Sequence, residues 1–212
     1  MNLPNKLTVF RVILIVPFVL FLLGGHAQWG WFMAFFGGIA DYVDYIALGI
    51  FIIASLTDML DGKIARKYNL VTNFGKFMDP LADKLLVCSA LIAMSSLGVI
   101  PAWITIVIIA REFIISGFRL IAAEKGVVIA ASMWGKWKTT FQMVMLCVQM
   151  VVMDQYVSVN GNIAANGLYV VTPFYQVLMM IGSITMYIAL ILTVVSLIDY
   201  LLKNKDVLKD VD

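Results

Sequence analysis

The sequence is poor in charge: 13% of its 212 residues are Asp, Glu, Lys or Arg, against about 25% in ordinary soluble domains. With 62% hydrophobic residues and a mean hydropathy of +0.97, it has too little polar surface to cover a water-soluble globule of its size. A soluble enzyme and a disordered chain are excluded on that ground. A nucleic-acid binder is excluded too, because 15 basic and 13 acidic residues, a formal charge of +2, build no broad basic field. Cysteine and histidine are equally scarce. Cys88 and Cys147 lie in apolar stretches without CxxC spacing and His26 is the single histidine, so neither a disulfide framework nor a zinc site is credible. There is no repeat, no low-complexity segment and no Arg/Ser-rich transit peptide.

What is abundant is apolar length. A transmembrane helix needs about 20 mostly apolar residues, and such runs occur at Leu7–Gly24, Tyr42–Leu60, Leu81–Leu97, Pro101–Ala122, Thr140–Met153 and Val177–Leu202. The expected fold class is therefore an all-α integral membrane protein of six transmembrane helices. It would form a single domain over 1–212, with a short interfacial segment at 1–7 and a polar tail at 203–212. The apolar, aromatic stretch Trp29–Ala40 suits the membrane interface.

The loops after the first, third and fifth runs, Gly25–Asp41, Gly98–Ile100 and Asp154–Gln176, contain no Lys or Arg. All basic residues fall on the other side or in helix ends facing it, so the positive-inside rule puts both termini in the cytoplasm. The polar stretch Ser158–Asn166, rich in Asn and Gly, reads as an external loop. Asp41, Asp44 and Asp154 lie at the outer surface without an evident role. A charged start followed by an apolar run to Leu23 and the small residues Gly24, Gly25 and Ala27 imitates a cleavable signal peptide.

Ionisable groups inside membrane spans are costly and mark functional sites. The facing ends of the second and third runs carry Asp58, Asp61, Asp79 and Asp83 across a short basic loop. Asp58 and Asp61 share one helix face, and Asp79 and Asp83 share another. Four converging carboxylates would repel one another unless cations compensate them, and hard oxygen donors in that number suit Mg²⁺, Mn²⁺ or Ca²⁺. A pair of such ions is the arrangement that clamps a transferring phosphoryl group. Asp79, just before Pro80, could alternatively open a helix. Gly62 and Gly75 would let a ligand or a neighbouring backbone approach closely, while Arg66 and Lys67 would face a lipid headgroup or a diphosphate.

The run Asp58-x2-Asp61-Gly62-x2-Ala65-Arg66-x8-Gly75-x3-Asp79-x3-Asp83 resembles, at all eight fixed positions, the signature of the CDP-alcohol phosphotransferases. The resemblance implies a six-helix membrane enzyme, usually a homodimer. Two divalent cations, Mg²⁺ or Mn²⁺, would serve the transfer of a phosphoalcohol group from a CDP-activated donor to an alcohol, releasing CMP. It also implies that Asp58, Asp61, Asp79 and Asp83 are metal ligands and that Asp83 doubles as general base. Asn5, Thr8, Gly62, Arg66, Thr72 and Gly75 would contact the CDP donor. If Asn5-Lys6-Leu7-Thr8 closes over the nucleotide, the N-terminal run is retained rather than cleaved.

The acceptor must be read elsewhere. Arg111, Glu112 and Arg119 interrupt the fourth apolar run, and Trp134-Gly135-Lys136-Trp137-Lys138 opens the fifth. Arg111 and Arg119 lie about 80° apart on one helix. Buried guanidinium forks suit phosphate oxygens, so a phosphorylated acceptor held by Arg111, Arg119 and Lys136 is expected. In the bland alternative, Arg111 pairs with Glu112 or with an aspartate of the signature, Arg119 reaches the surface, and Lys136 and Lys138 touch headgroups. Asn2–Thr8 with Arg11 and Pro17, Ala110–Phe113 and Gly135–Thr139 resemble the phosphatidylglycerophosphate synthase branch of the family. That branch uses CDP-diacylglycerol and glycerol 3-phosphate at the cytoplasmic face of a bacterial-type cell membrane. Rival acceptors are phosphatidylglycerol, serine or an inositol phosphate. A cation transporter is a more distant rival, which the nearly charge-free outer helix halves disfavour.

Overall fold

The computed structural model describes residues 3–26, 29–67, 73–124, 132–164 and 171–204; within them, the side chains of 3–4, 40, 59–67, 73–80, 123–124 and 161–164 are outside the description. All regular structure among the described residues is helical. The helices are α1 (Leu3–Gly24), α2 (Gly30–Phe36), α3 (Val43–Lys67), α4 (Asn73–Ser96), α5 (Ala102–Glu124), α6 (Met133–Val151), α7 (Met153–Ala164) and α8 (Pro173–Lys203), with a 3-10 turn at Gly37–Tyr42 between α2 and α3.

Five of the six apolar runs each lie within a residue of one long helix, and the fifth, Thr140–Met153, crosses the bend between α6 and α7. Asn5–Gly24 and Pro173–Lys203 are long and apolar enough to cross a membrane. Two bent pairs, Gly30–Ile39 with Val43–Asp58 and Met133–Val151 with Met153–Asn160, raise the number to four if each is one span. Helix α5 carries Arg111, Glu112 and Arg119 within its apolar length, and α4 carries Asp83 and Lys84.

The helices run further than composition suggests. Helix α3 continues to Lys67, so Gly62, Lys63 and Arg66 belong to a helix end rather than to a dozen-residue loop. Helix α4 begins at Asn73, ahead of Gly75 and Pro80, so Asp79 does not open a helix. The stretch beginning at Ser158 is helical up to Ala164, where a loop was expected. Asp154 in the first turn of α7 complements the helix dipole, and the helix continues through Asn160 and Gly161 despite their poor helix propensity.

Two compact units emerge, one formed by Met1–Ile100 with Met150–Val170 and the other by Pro101–Gln149 with Val171–Asp212. In the first, α1 packs against α3 and α4, and α3 against α4. Phe18 of α1 meets Phe51 of α3 with ring centroids 5.7 Å apart. Helix α2 folds back so that Phe32 and Phe36 meet Phe21 edge-on. A Cβ at Gly24 would lie 2.5 Å from the Phe32 ring, and one at Gly25 would lie 2.5 Å from Val43. Gly24 and Gly25, two of the small residues that imitate a cleavage region, thus have a packing reason to be small. Helix α4 ends in a Schellman turn: Gly98, at φ +74°, donates its N–H to Ser95, and Val99 donates to Met94.

In the second unit, α5 packs against α8. The buried positions of α8 are Gly182, Thr185, Met186, Ala189, Thr193, Ser196 and Tyr200, a stripe of mostly small residues at helical spacing. Ile184, Ile191, Val194 and Ile198 stay exposed on the other faces. Small residues inward and branched apolar residues outward is the arrangement of a helix packed in lipid. Thr185 and Thr193 return their hydroxyls to the helix's own carbonyls, while the buried Tyr200 hydroxyl has no hydrogen-bond partner among the described residues. Arg111 meets Ser196, and Arg119 meets Tyr200, so contacts advance in the same sense along α5 and α8. Helix α6 runs opposite to both: its first turn abuts Arg111 and Gln149 near its end packs on Gly182.

Candidate active site

Helix α1 carries Asn5, Thr8 and Arg11 at intervals of three. All three side chains are buried, Thr8 and Arg11 completely. A fully buried guanidinium demands a counter-charge. Arg11 finds it in Asp58 of α3, with Nη1 2.7 Å from Oδ1, and the Asp58 side chain stays 41% exposed. The first carboxylate of the signature is therefore anchored from one side and open on the other. The sequence offers Arg11 only as part of a resemblance; its pairing with Asp58 is not among the expectations, although a charge on the Asn5/Thr8 face of an apolar helix was the available signal.

Asp83 lies on an exposed face of α4, beside buried Ala82 and Leu86. The side chains of Asp61, Gly62, Arg66, Gly75 and Asp79 lie outside the described residues, as does Thr72 entirely. Their backbones, Thr72 excepted, belong to the last turns of α3 and the first turns of α4. Among the described residues no group of three or more His, Cys, Asp or Glu gathers. Asp58 and Asp83, the described members of the carboxylate set, are both accessible hard oxygen donors, which fits a divalent cation such as Mg²⁺ or Mn²⁺.

A second constellation stands in the other unit. Arg111 is buried in α5. Its Nε and Nη2 donate to Ser196 Oγ of α8 at 3.2 and 3.0 Å, and its Nη1 donates to Glu112 Oε1 at 3.2 Å. The same Glu112 oxygen accepts from Lys138 Nζ of α6, and the Lys138 side chain is almost fully buried. The bland expectation thus holds in part, since Arg111 does pair with Glu112. Lys138 departs from it, being a buried partner rather than a headgroup contact. Arg119 is exposed, its guanidinium 6.0 Å from the centroid of the Tyr200 ring. Lys136 is exposed in the first turn of α6. Of the three expected phosphate ligands, only Arg111 is held in a defined polar network.

At the far end of α1, His26 and Asp44 are both buried, with His26 Nε2 2.7 Å from Asp44 Oδ1. Burial opposes protonation of the ring, but the hydrogen bond and charge of Asp44, with the charge of Asp154, outweigh it and raise its pKa. Asp44 therefore ties the end of α1 to the start of α3.

Residues 1–195 match the family model of the CDP-alcohol phosphatidyltransferases. The chain belongs to this family. Curated relatives agree along its whole length. It is 43% identical over 209 residues to the CDP-diacylglycerol–glycerol-3-phosphate 3-phosphatidyltransferase of Bacillus subtilis, covering 98% of this chain and 97% of the relative. The enzyme of the same name in Haemophilus influenzae is 38% identical over 214 residues, 99% of this chain and 96% of that one. A probable phosphatidylglycerophosphate synthase of Mycobacterium tuberculosis is 36% identical over 199 residues, 94% and 79% of the two chains. Family membership makes the chain an enzyme, and its exposed apolar helices suit a membrane.

Proposed function

We propose that the protein transfers the phosphatidyl group of CDP-diacylglycerol to sn-glycerol 3-phosphate, giving phosphatidylglycerophosphate and CMP. The observation that carries the choice of acceptor is the buried Arg111 guanidinium, a group suited to a phosphate-bearing alcohol; the names of the relatives agree with it. In this reading Asp58, Asp61, Asp79 and Asp83 hold two divalent cations. When bound, the cations place positive charge on the diphosphate oxygens and ease the departure of CMP. Asp83 takes the proton from the primary hydroxyl of the acceptor. The hydroxyl oxygen bonds to the phosphorus that carries the diacylglycerol, and the bond from that phosphorus to the CMP oxygen breaks. Asn5, Thr8, Gly62, Arg66, Thr72 and Gly75 receive the CDP portion, and Arg111, Arg119 and Lys136 the acceptor's phosphate.

The reading extends to topology. The six apolar runs are six spans with both termini in the cytoplasm, and the site lies at the cytoplasmic face of the cell membrane, where a soluble nucleotide head and acyl chains are held together. Residues 1–212 work as one catalytic domain within a homodimer. The like direction of α5 and α8 supports the alternation, because the fourth and sixth spans must both run inward.

The test is CMP release by purified protein given CDP-diacylglycerol, Mg²⁺ or Mn²⁺, and a panel of alcohols. CMP is expected with glycerol 3-phosphate and not with glycerol, serine or phosphatidylglycerol. Equal release with glycerol would remove the argument from Arg111.

A further inference from the structure

We propose that Lys138, Glu112 and Ser196 are positioning residues that set the charge and plane of the Arg111 guanidinium for the acceptor's phosphate. The inference rests on the reading of Arg111 as a phosphate ligand.

A guanidinium has five N–H groups. Ser196 Oγ accepts two of them and Glu112 one. The Ser196 hydroxyl donates its own hydrogen to the Thr193 carbonyl at 3.0 Å, so the backbone of α8 fixes the direction of the lone pairs that Arg111 meets. One N–H on Nη1 and one on Nη2 are left for a ligand. The position beside Nη2 is Gly135, where a Cβ would stand 3.4 Å away, so no side chain of that residue lies between Nη2 and an approaching ligand.

Charge completes the argument. Arg111 and Glu112 alone sum to zero, and a neutral pair gives a phosphate little reason to leave water. Lys138 shares the same Glu112 oxygen, so the carboxylate is drawn toward the ammonium and neutralises less of the Arg111 charge. Lys138 is itself only 2% exposed. It therefore acts through Glu112 rather than by touching substrate.

The experiment is steady-state kinetics on the full-length enzyme in detergent–lipid micelles, with glycerol 3-phosphate and CDP-diacylglycerol varied separately. Lys138→Met is expected to raise the KM for glycerol 3-phosphate about tenfold, with kcat within about twofold and the donor KM unmoved. Lys138→Arg, which keeps the charge, restores it. The double variant Glu112→Gln/Lys138→Met, which again leaves Arg111 as the net charge, returns the KM to within about threefold of the parent. A merely structural role predicts a double variant at least as impaired as Lys138→Met. Ser196→Ala raises the same KM, and Ser196→Thr recovers it. Should Lys138→Met not fold, Glu112→Gln alone decides, with an acceptor KM lowered about threefold; a rise overturns the proposal. An unchanged KM in Lys138→Met beside a raised one in Arg111→Gln overturns the proposal and leaves the phosphate reading standing. An unchanged KM in both removes that reading and the proposal with it.

Discussion

At the scale of single residues, the molecule separates groups that hold from groups that react. Arg11 is fully buried and paired with Asp58; Asp83 is exposed, which suits the proposed role of a base meeting a soluble substrate. Asp83→Asn is expected to cut kcat by about 10²–10⁴-fold while CDP-diacylglycerol still binds, measured by turnover and by equilibrium binding of the donor. The aspartates and Arg111 were legible as candidates because charge inside an apolar run stands out. Their partners were not. Periodicity tells which face Glu112 or Arg11 occupies, whereas the pairing of Glu112 with Lys138 depends on which helix lies opposite. The buried His26–Asp44 pair gives a pH prediction. Because the folded state raises the His26 pKa above its ordinary 6.5, the stabilisation is complete below about pH 6.5 and is lost as pH rises through the raised value. From below pH 6.5 to alkaline pH the parent should lose thermal midpoint relative to His26→Gln, read by unfolding in detergent; a difference that does not change with pH would remove the pair's contribution.

At the scale of elements, apolar runs located the helices well and their ends poorly. All runs but Thr140–Met153, which crosses the bend between α6 and α7, follow one helix, but α3 and α4 extend through glycines and charges that look like a loop, and α7 continues to Ala164 through Asn160 and Gly161. Backbone hydrogen bonds within a helix are satisfied locally whatever the side chain, so at a membrane surface polar composition does not force an end. The aromatic stretch after α1 is also its own element, since α2 docks on α1 through Phe21, Phe32 and Phe36. Gly24 permits that docking. Gly24→Val should cost about 1–3 kcal/mol, lowering the thermal midpoint by several degrees, and Phe32→Ala in the same chain should recover part of the loss.

At the scale of the whole molecule, the scarce basic residues carry the topology. None lies in the stretches after α1, after α4 or after α6, and the expected orientation follows. In a Cys88→Ala/Cys147→Ala background, a cysteine at Trp31 or Asn160 should react with a membrane-impermeant maleimide in intact cells. One at Asn204 should react only after lysis, and the reverse pattern would invert the molecule. Both groups of candidate residues, the aspartates of α3 and α4 and the cations of α5 and α6, stand out in the sequence because lipid leaves so few reasons for a charge. The division into two compact units was not, since nothing in the order of the helices announces which of them pack together.

The inward stripe of α8 has a thermodynamic side. In lipid, helices gain no hydrophobic drive by meeting, so the net free energy of packing depends on what the contact gives up as well as on what it makes. Gly182 and Ala189 have no rotamers to lose, and a serine or threonine that bonds to its own helix has its rotamer chosen before any neighbour arrives. Helix α8 therefore enters its contacts with α5 and α6 already ordered, and Ser196 is fixed in place before Arg111 reaches it.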